Sequence, residues 1–163
     1  MTGYRHALER THFMITSRLA TSITIVAILI CAALHFAGNG LFQTLLPIRA
    51  TQEGYSSALI GWIGTAYFGG FIIGCFLGPK IIMSVGHARA FADITALLTA
   101  TFLAFPLFVD LAFWIVLRIV SGACLAMLYI VVESWLNDSA SNANRGRTLP
   151  IYIIVSNIVT IAG

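Results

Sequence analysis

The chain has 163 residues, of which 59% are hydrophobic and 9% charged, and it carries a formal net charge of +3. Its mean hydropathy is +0.93, whereas a soluble domain carries about 25% charge, so a soluble core is excluded and an integral membrane helical bundle of the all-α class is indicated. The positive charges form no basic run, which argues against a nucleic-acid partner and leaves the lipid bilayer as the expected surroundings.

Residues 1–18 carry Arg5, Arg10 and Arg18 and read as a cytoplasmic N-terminal segment. The apolar run that follows is too long for the hydrophobic core of a signal peptide and is read as a retained first span. That span covers 20–46 and closes at Pro47. It is interrupted by His35, Asn39 and Gln43, each four residues after the last, so the three are expected on one face. Polar groups at that depth need partners or water, so the face is expected to look into a bundle or a wet cavity.

The second span covers 58–83 and is crowded with glycine. Gly70, Gly74 and Gly78 recur at spacing four, a small-residue stripe that lets another helix approach closely. A cytoplasmic link with Lys80, Gly86, His87 and Arg89 is expected next. The third span covers 91–109, with Pro106 marking a boundary or kink and Asp93 near its start, where a carboxylate suits the helix dipole. Asp110 sits in a tight turn.

The fourth span covers 111–136 and holds two charges. At about 100° per residue, Arg118, Gly122, Ala126, Tyr129 and Glu133 share one stripe. Arg118 and Glu133 are about 22 Å apart along the axis and cannot pair with each other. Each needs its own partner or water. Trp135 suits an interfacial anchor. A polar loop with Arg145 and Arg147 leads to a fifth span, 149–163, which is short for a full crossing, so 19–163 is read as a partial bundle of about five spans and the chain as truncated.

Seven positive residues (Arg5, Arg10, Arg18, Lys80, Arg89, Arg145 and Arg147) fall on one side of this arrangement and Arg49 alone on the other. That asymmetry predicts a cytoplasmic N-terminus in a multi-pass protein of the cell inner membrane. Cys31, Cys75 and Cys124 lie inside apolar runs with no shared ligand spacing. No paired carboxylates, His-Glu metal spacing or nucleophile elbow appears, so neither an enzyme nor a metal or other cofactor is indicated. No selectivity-filter-like loop points to a channel.

From about Ala20 to Gly163 the chain resembles the N-terminal half of a major facilitator superfamily transporter. The likeness rests on the glycine-rich second span, on the stretch from Gly74 to Arg89, and on Arg118 followed by Gly122. In the Gly74–Arg89 stretch Gly74 fits the opening glycine of the family's cytoplasmic motif, and Gly86 with Arg89 resembles its close. Gly78 stands where an aspartate is usual, so that residue's charge-relay role is not carried over. The Gly-Pro-Lys and Gly-His-x-Arg forms, and the stretches from Val131 to Asp138 and from Asn142 to Arg147, are similar to the bacterial YcaD-like branch.

The resemblance implies half of a twelve-helix secondary transporter that moves a small-molecule substrate by alternating access, with a C-terminal half as the missing partner. His35, Asn39, Gln43, Arg118 and Tyr129 are the expected substrate or proton path. Gly74, Gly78, Lys80, Gly86, Arg89, Glu133, Arg145 and Arg147 are the expected cytoplasmic gate. The polypeptide by itself is not expected to transport. The alternative is a small membrane scaffold or a transporter relic without a substrate.

Overall fold

The computed structural model describes the backbone of residues 2–139 and the side chains of residues 26–138. The expected fifth span, 149–163, and Arg145 and Arg147 lie outside the described residues. Four helices follow in order: α1 (Thr2–Gln52), α2 (Ser57–Val85), α3 (His87–Ala104) and α4 (Leu111–Ser139). Among the described residues, Val26–Gln52, Ser57–Val85 and Leu111–Asp138 are long and apolar enough to cross a membrane. Helix α3 is not among these: its 18 residues include His87, Arg89 and Asp93 in the first two turns.

Three expected boundaries move. Helix α1 runs through Pro47 instead of closing there. A proline inside a helix removes one N–H, here the donor to the carbonyl of Gln43, and membrane helices tolerate this when neighbouring groups compensate. The helix ends at Gln52, and the chain turns at Gly54, whose φ is +82°. Tyr55 N–H reaches the Ala50 carbonyl at 3.0 Å and Gly54 N–H the Thr51 carbonyl at 3.1 Å, the paired bonds of a Schellman cap.

The expected link between spans two and three is not a loop. Helix α2 reaches Val85 and α3 begins at His87, leaving Gly86 as a one-residue joint. Gly86 has φ +81° and ψ 163°, a region open essentially to glycine alone. Lys80 therefore lies within α2 and Arg89 within α3. Asp93 falls beyond the first turn of α3, so it does not complement the dipole there. Helix α3 ends at Ala104, two residues before Pro106, with Phe105 still at helical φ −54° and ψ −42°.

The α3–α4 turn is held by two side chains. Asp110 Oδ1 accepts from Phe113 N–H at 2.8 Å, capping α4. Trp114, buried, donates its indole N–H to the Phe108 carbonyl at 2.9 Å.

Helix α4 is the hub. It packs most extensively on α2, then on α3, and touches α1 over a smaller area. The α2–α4 seam is a backbone-to-backbone contact. A Cβ at Gly70 would strike the Ile119 carbonyl, one at Gly74 the Ala123 carbonyl, and one at Gly122 the Tyr67 carbonyl. Such approach maximises dispersion contact where lipid offers no hydrophobic drive for helix association. On its other sides α4 buries Leu128, Val131 and Val132 fully, in a core with Phe36, Ile94 and Leu98. Trp62, Phe68, Ile72 and Phe76 of α2 remain largely exposed. A patch of that kind on the outside of long apolar helices is what lipid or another helix covers.

Candidate functional site

Where α1, α2 and α4 meet, four polar side chains gather inside apolar walls. Arg118 comes from the second turn of α4 and is 3% exposed. Its Nη2 donates to Gln43 Oε1 of α1 at 2.5 Å. Its guanidinium carbon lies 4.8 Å from the centre of the Tyr67 ring on α2 and 5.9 Å from that of Phe42 on α1. A desolvated cation–π contact of this kind contributes about 2 kcal/mol. The Tyr67 side chain interacts in turn with the side chains of Asn39 and Gln43.

The glycine seam explains why this cluster forms. Tyr67 lies one turn before Gly70 on the buried stripe of α2. Because Gly122 lets the backbones touch at Tyr67, the tyrosine ring is brought level with Arg118, one turn earlier on α4. On α1, Asn39 and Gln43 are one turn apart and face the same junction.

The cluster is under-satisfied. Among the described residues, Arg118 Nε and Nη1 and Asn39 Oδ1 are buried and have no hydrogen-bond partner. A buried polar group left without a partner costs about 1–3 kcal/mol, and more when charged. A guanidinium stays protonated at this depth, so the charge cannot be shed. The arrangement can therefore receive hydrogen-bond acceptors, preferably anionic ones, at Arg118 and a donor at Asn39.

The structure divides the expected path residues. Asn39, Gln43 and Arg118 come together. His35 does not join them: its Nδ1 lies 2.9 Å from the Cys31 carbonyl and its Nε2 faces Thr99 of α3 at 3.4 Å. Nδ1 is the donor to the Cys31 carbonyl, since a carbonyl oxygen only accepts. The separation follows from helix geometry. Each step of four residues turns the face by about 40°, so His35 and Gln43 differ by about 80°. Tyr129 lies three turns along α4 from Arg118 and stacks on Phe36, with ring centroids 4.3 Å apart.

The expected gate residues also divide. Gly74 and Gly78 are buried in the α2–α4 seam, and Gly86 is the α2–α3 joint. Lys80, Arg89 and Glu133 are exposed. The bond that ties the α2–α3 joint to the end of α4 is made by His87, whose Nε2 is 2.9 Å from Ser134 Oγ and 3.7 Å from Asp138 Oδ2. Ser134 gives its own proton to the Val131 carbonyl at 3.2 Å, so it accepts from His87, whose proton is on Nε2.

Sequence alone does not single out Tyr67, Phe42 or the His87–Ser134 pair. Tyr67 left one signal, its register with the glycine stripe. Phe42, adjacent to Gln43, left none, being one of many aromatic residues in apolar runs. His87 was visible as part of Gly-His-x-Arg, but its partner on α4 was not.

Comparison with known proteins adds an independent line. The family model of the Major Facilitator Superfamily matches residues 28–163. An uncharacterized MFS-type transporter of Enterobacter sp. (strain 638) is 30% identical over 139 residues, which cover 85% of this chain and 36% of that protein. The uncharacterized MFS-type transporter YcaD of Escherichia coli O139:H28 is 31% identical over 123 residues, 76% of this chain and 32% of that protein. YcaD from the K12/DH10B strain matches to the same extent. The chain thus spans about a third of the length of the curated relatives it matches. No solved structure matches it.

Proposed function

The chain belongs to the major facilitator superfamily, and from that premise we propose that it forms the first part of a secondary transporter moving a small molecule by alternating access. It contributes to the N-terminal six-helix half of that bundle, with its N-terminus in the cytoplasm of a bacterial cell and its spans in the inner membrane. The carrying observation is the buried polar junction of α1, α2 and α4. A charge inside a membrane bundle is costly, and functional use is the default reading of one that persists there. Arg118, Gln43, Asn39 and Tyr67 are the centre of the proposed path.

The remaining sequence-derived candidates take narrower roles. Tyr129 lines the same face of α4 deeper toward its C-terminal end, and His35 serves the α1–α3 contact. Gly74 and Gly78 supply the surface along which α2 and α4 meet, and Gly86 joins α2 to α3. Lys80, Arg89 and Glu133 form the charged rim at that end, with Arg145 and Arg147 in the same rim by sequence position. A scaffold protein would use the glycine seam but has no need of an arginine among apolar helices, which favours transport over that alternative.

The test is flux through the complete gene product in proteoliposomes, screened against a small-molecule panel. A saturable flux is expected, and Arg118→Gln should reduce it about tenfold or more, since a hydrogen bond to a charged group contributes about 1.5–3 kcal/mol. Unchanged flux in that variant would remove Arg118 from the path. Reporter fusions at the N-terminus check the orientation, and an extracellular signal would reverse it.

A further inference from the structure

We propose that Arg118 anchors the carboxylate of a small substrate that also carries a hydrogen-bond donor, as hydroxy acids and amino acids do, with Asn39 receiving the donor. The inference rests on the transport reading above and names the substrate class of that site.

The charge balance of the chain carries the first step. Among the described residues Arg118 is buried with Nε and Nη1 unpartnered, and its one hydrogen-bonded side-chain partner is the neutral Gln43. The chain has six acidic residues, Glu9, Glu53, Asp93, Asp110, Glu133 and Asp138. None can supply the counter-charge. Glu53 pairs with Arg49 at the end of α1. Asp110 is occupied in capping α4, about 12 Å along the axis from Arg118. Glu133 is about 22 Å away in the other direction, with Asp138 a further turn on. Asp93 is exposed near the same end of α3 as His87. Glu9 is separated from Gln43 by about 51 Å of α1. The anion that answers Arg118 therefore comes from outside this stretch of chain.

The donor inventory carries the second step. The Nε and Nη1 groups offer three N–H bonds, and a planar guanidinium with spare N–H groups suits a carboxylate better than a single-point acceptor. Tyr67 and Phe42 lie against the guanidinium and hold it in place, so little side-chain entropy is lost on binding. Asn39 Oδ1 is a buried acceptor without a hydrogen-bond partner among the described residues. A ligand that brought only a carboxylate would leave that acceptor unmet, whereas a hydroxyl or amino group beside the carboxylate meets it. Selection of this kind is strong because the site penalises the analogue that leaves its buried groups unpaired.

The experiment measures binding to the complete gene product in nanodiscs by calorimetry. The probes are L-lactate and L-mandelate, each with its neutral amide and with the acid lacking the hydroxyl, propionate or phenylacetate. At least one of the two hydroxy acids is expected to bind about tenfold or more tightly than its amide, and more tightly than its deoxy acid. Asn39→Leu should bring the hydroxy acid down to its deoxy partner while leaving the preference over the amide. Arg118→Gln should abolish the preference for the acid over the amide. Amides binding as well as acids, or no binding of either acid, overturns the proposal. The wild-type acid–amide comparison decides this even if the Arg118 variant does not fold.

The two readings fail separately. A protein that carries only neutral or cationic solutes keeps the transport function and loses this substrate class. A protein that binds hydroxy acids in the expected order without flux keeps the site and loses transport.

Discussion

Helix α4 meets its two neighbours on the polar junction in opposite ways. Against α2 it presents Gly122, Ala123 and Ala126, and the two backbones touch along a close seam with Gly70 and Gly74. Against α1 the contact is smaller and includes the bond from Arg118 to Gln43. The seam is satisfied and tolerates no added atoms. Among the described residues the junction is unsatisfied and has groups to spare. The difference separates structure from function inside one helix: the seam fixes where Arg118 stands, and the junction leaves its donors free.

The seam is broken most severely by Gly122→Leu. Its new side chain would drive into the Tyr67 carbonyl, a backbone atom that cannot swing aside. A destabilisation of about 3 kcal/mol or more is expected, at the upper end of overpacking costs, read as a loss of monodisperse protein on heating in detergent. Gly64→Ala and Gly69→Ala are the controls. Neither meets any atom within 4 Å, so each is expected to be neutral or to gain about 0.5–1 kcal/mol from helix propensity. Equal damage at all three positions would mean that glycine content, and not the seam, matters.

Gln43→Leu tests the junction. The substitution keeps the bulk and removes the acceptor that Arg118 uses, so a third nitrogen of the guanidinium loses its partner. A destabilisation of about 1.5–3 kcal/mol is expected in the same unfolding assay. The double variant Gln43→Leu with Arg118→Leu should recover much of that loss, because removing both partners spares the orphaned charge. No recovery would show that Gln43 supports the fold for another reason.

These contrasts also mark what the sequence made legible. Glycines at spacing four announced a close helix contact, and the seam through Gly70, Gly74 and Gly78 is there. Its partner face on α4 was less clear, because Gly122, Ala123 and Ala126 sit in a helix apolar on nearly every side. The polar trio of α1 was read as one face, yet the turn of about 40° per four residues sends His35 to α3 while Gln43 reaches Arg118. Tyr67 is not legible in the sequence, because a tyrosine in an apolar run gives no sign of its depth or partner. Proline and glycine suggest breaks that the packed chain does not make. Pro47 lies within α1, and Gly86 makes a joint of one residue where a link was expected. Local residues signal that a backbone needs special geometry, but only packing decides whether that geometry bends a chain or ends an element.

The same contrast between fixed and free groups recurs at the far end of α4, where Ser134 and Glu133 are neighbours with different fates. Ser134 is partly buried and accepts from His87, tying the α2–α3 joint to α4. Ser134→Ala should cost about 1 kcal/mol, the net worth of one such bond. Glu133 is exposed, and no ion pair involving it occurs among the described residues. Glu133→Gln should therefore stay within about 0.5 kcal/mol of the parent in thermal unfolding. Its proposed place in the charged rim then rests on a contact made outside the described residues, in another conformation or with another part of the protein. If Glu133→Gln instead destabilises as much as Ser134→Ala, the carboxylate is already paired in this conformation, and the rim acts as a fixed strut like the seam.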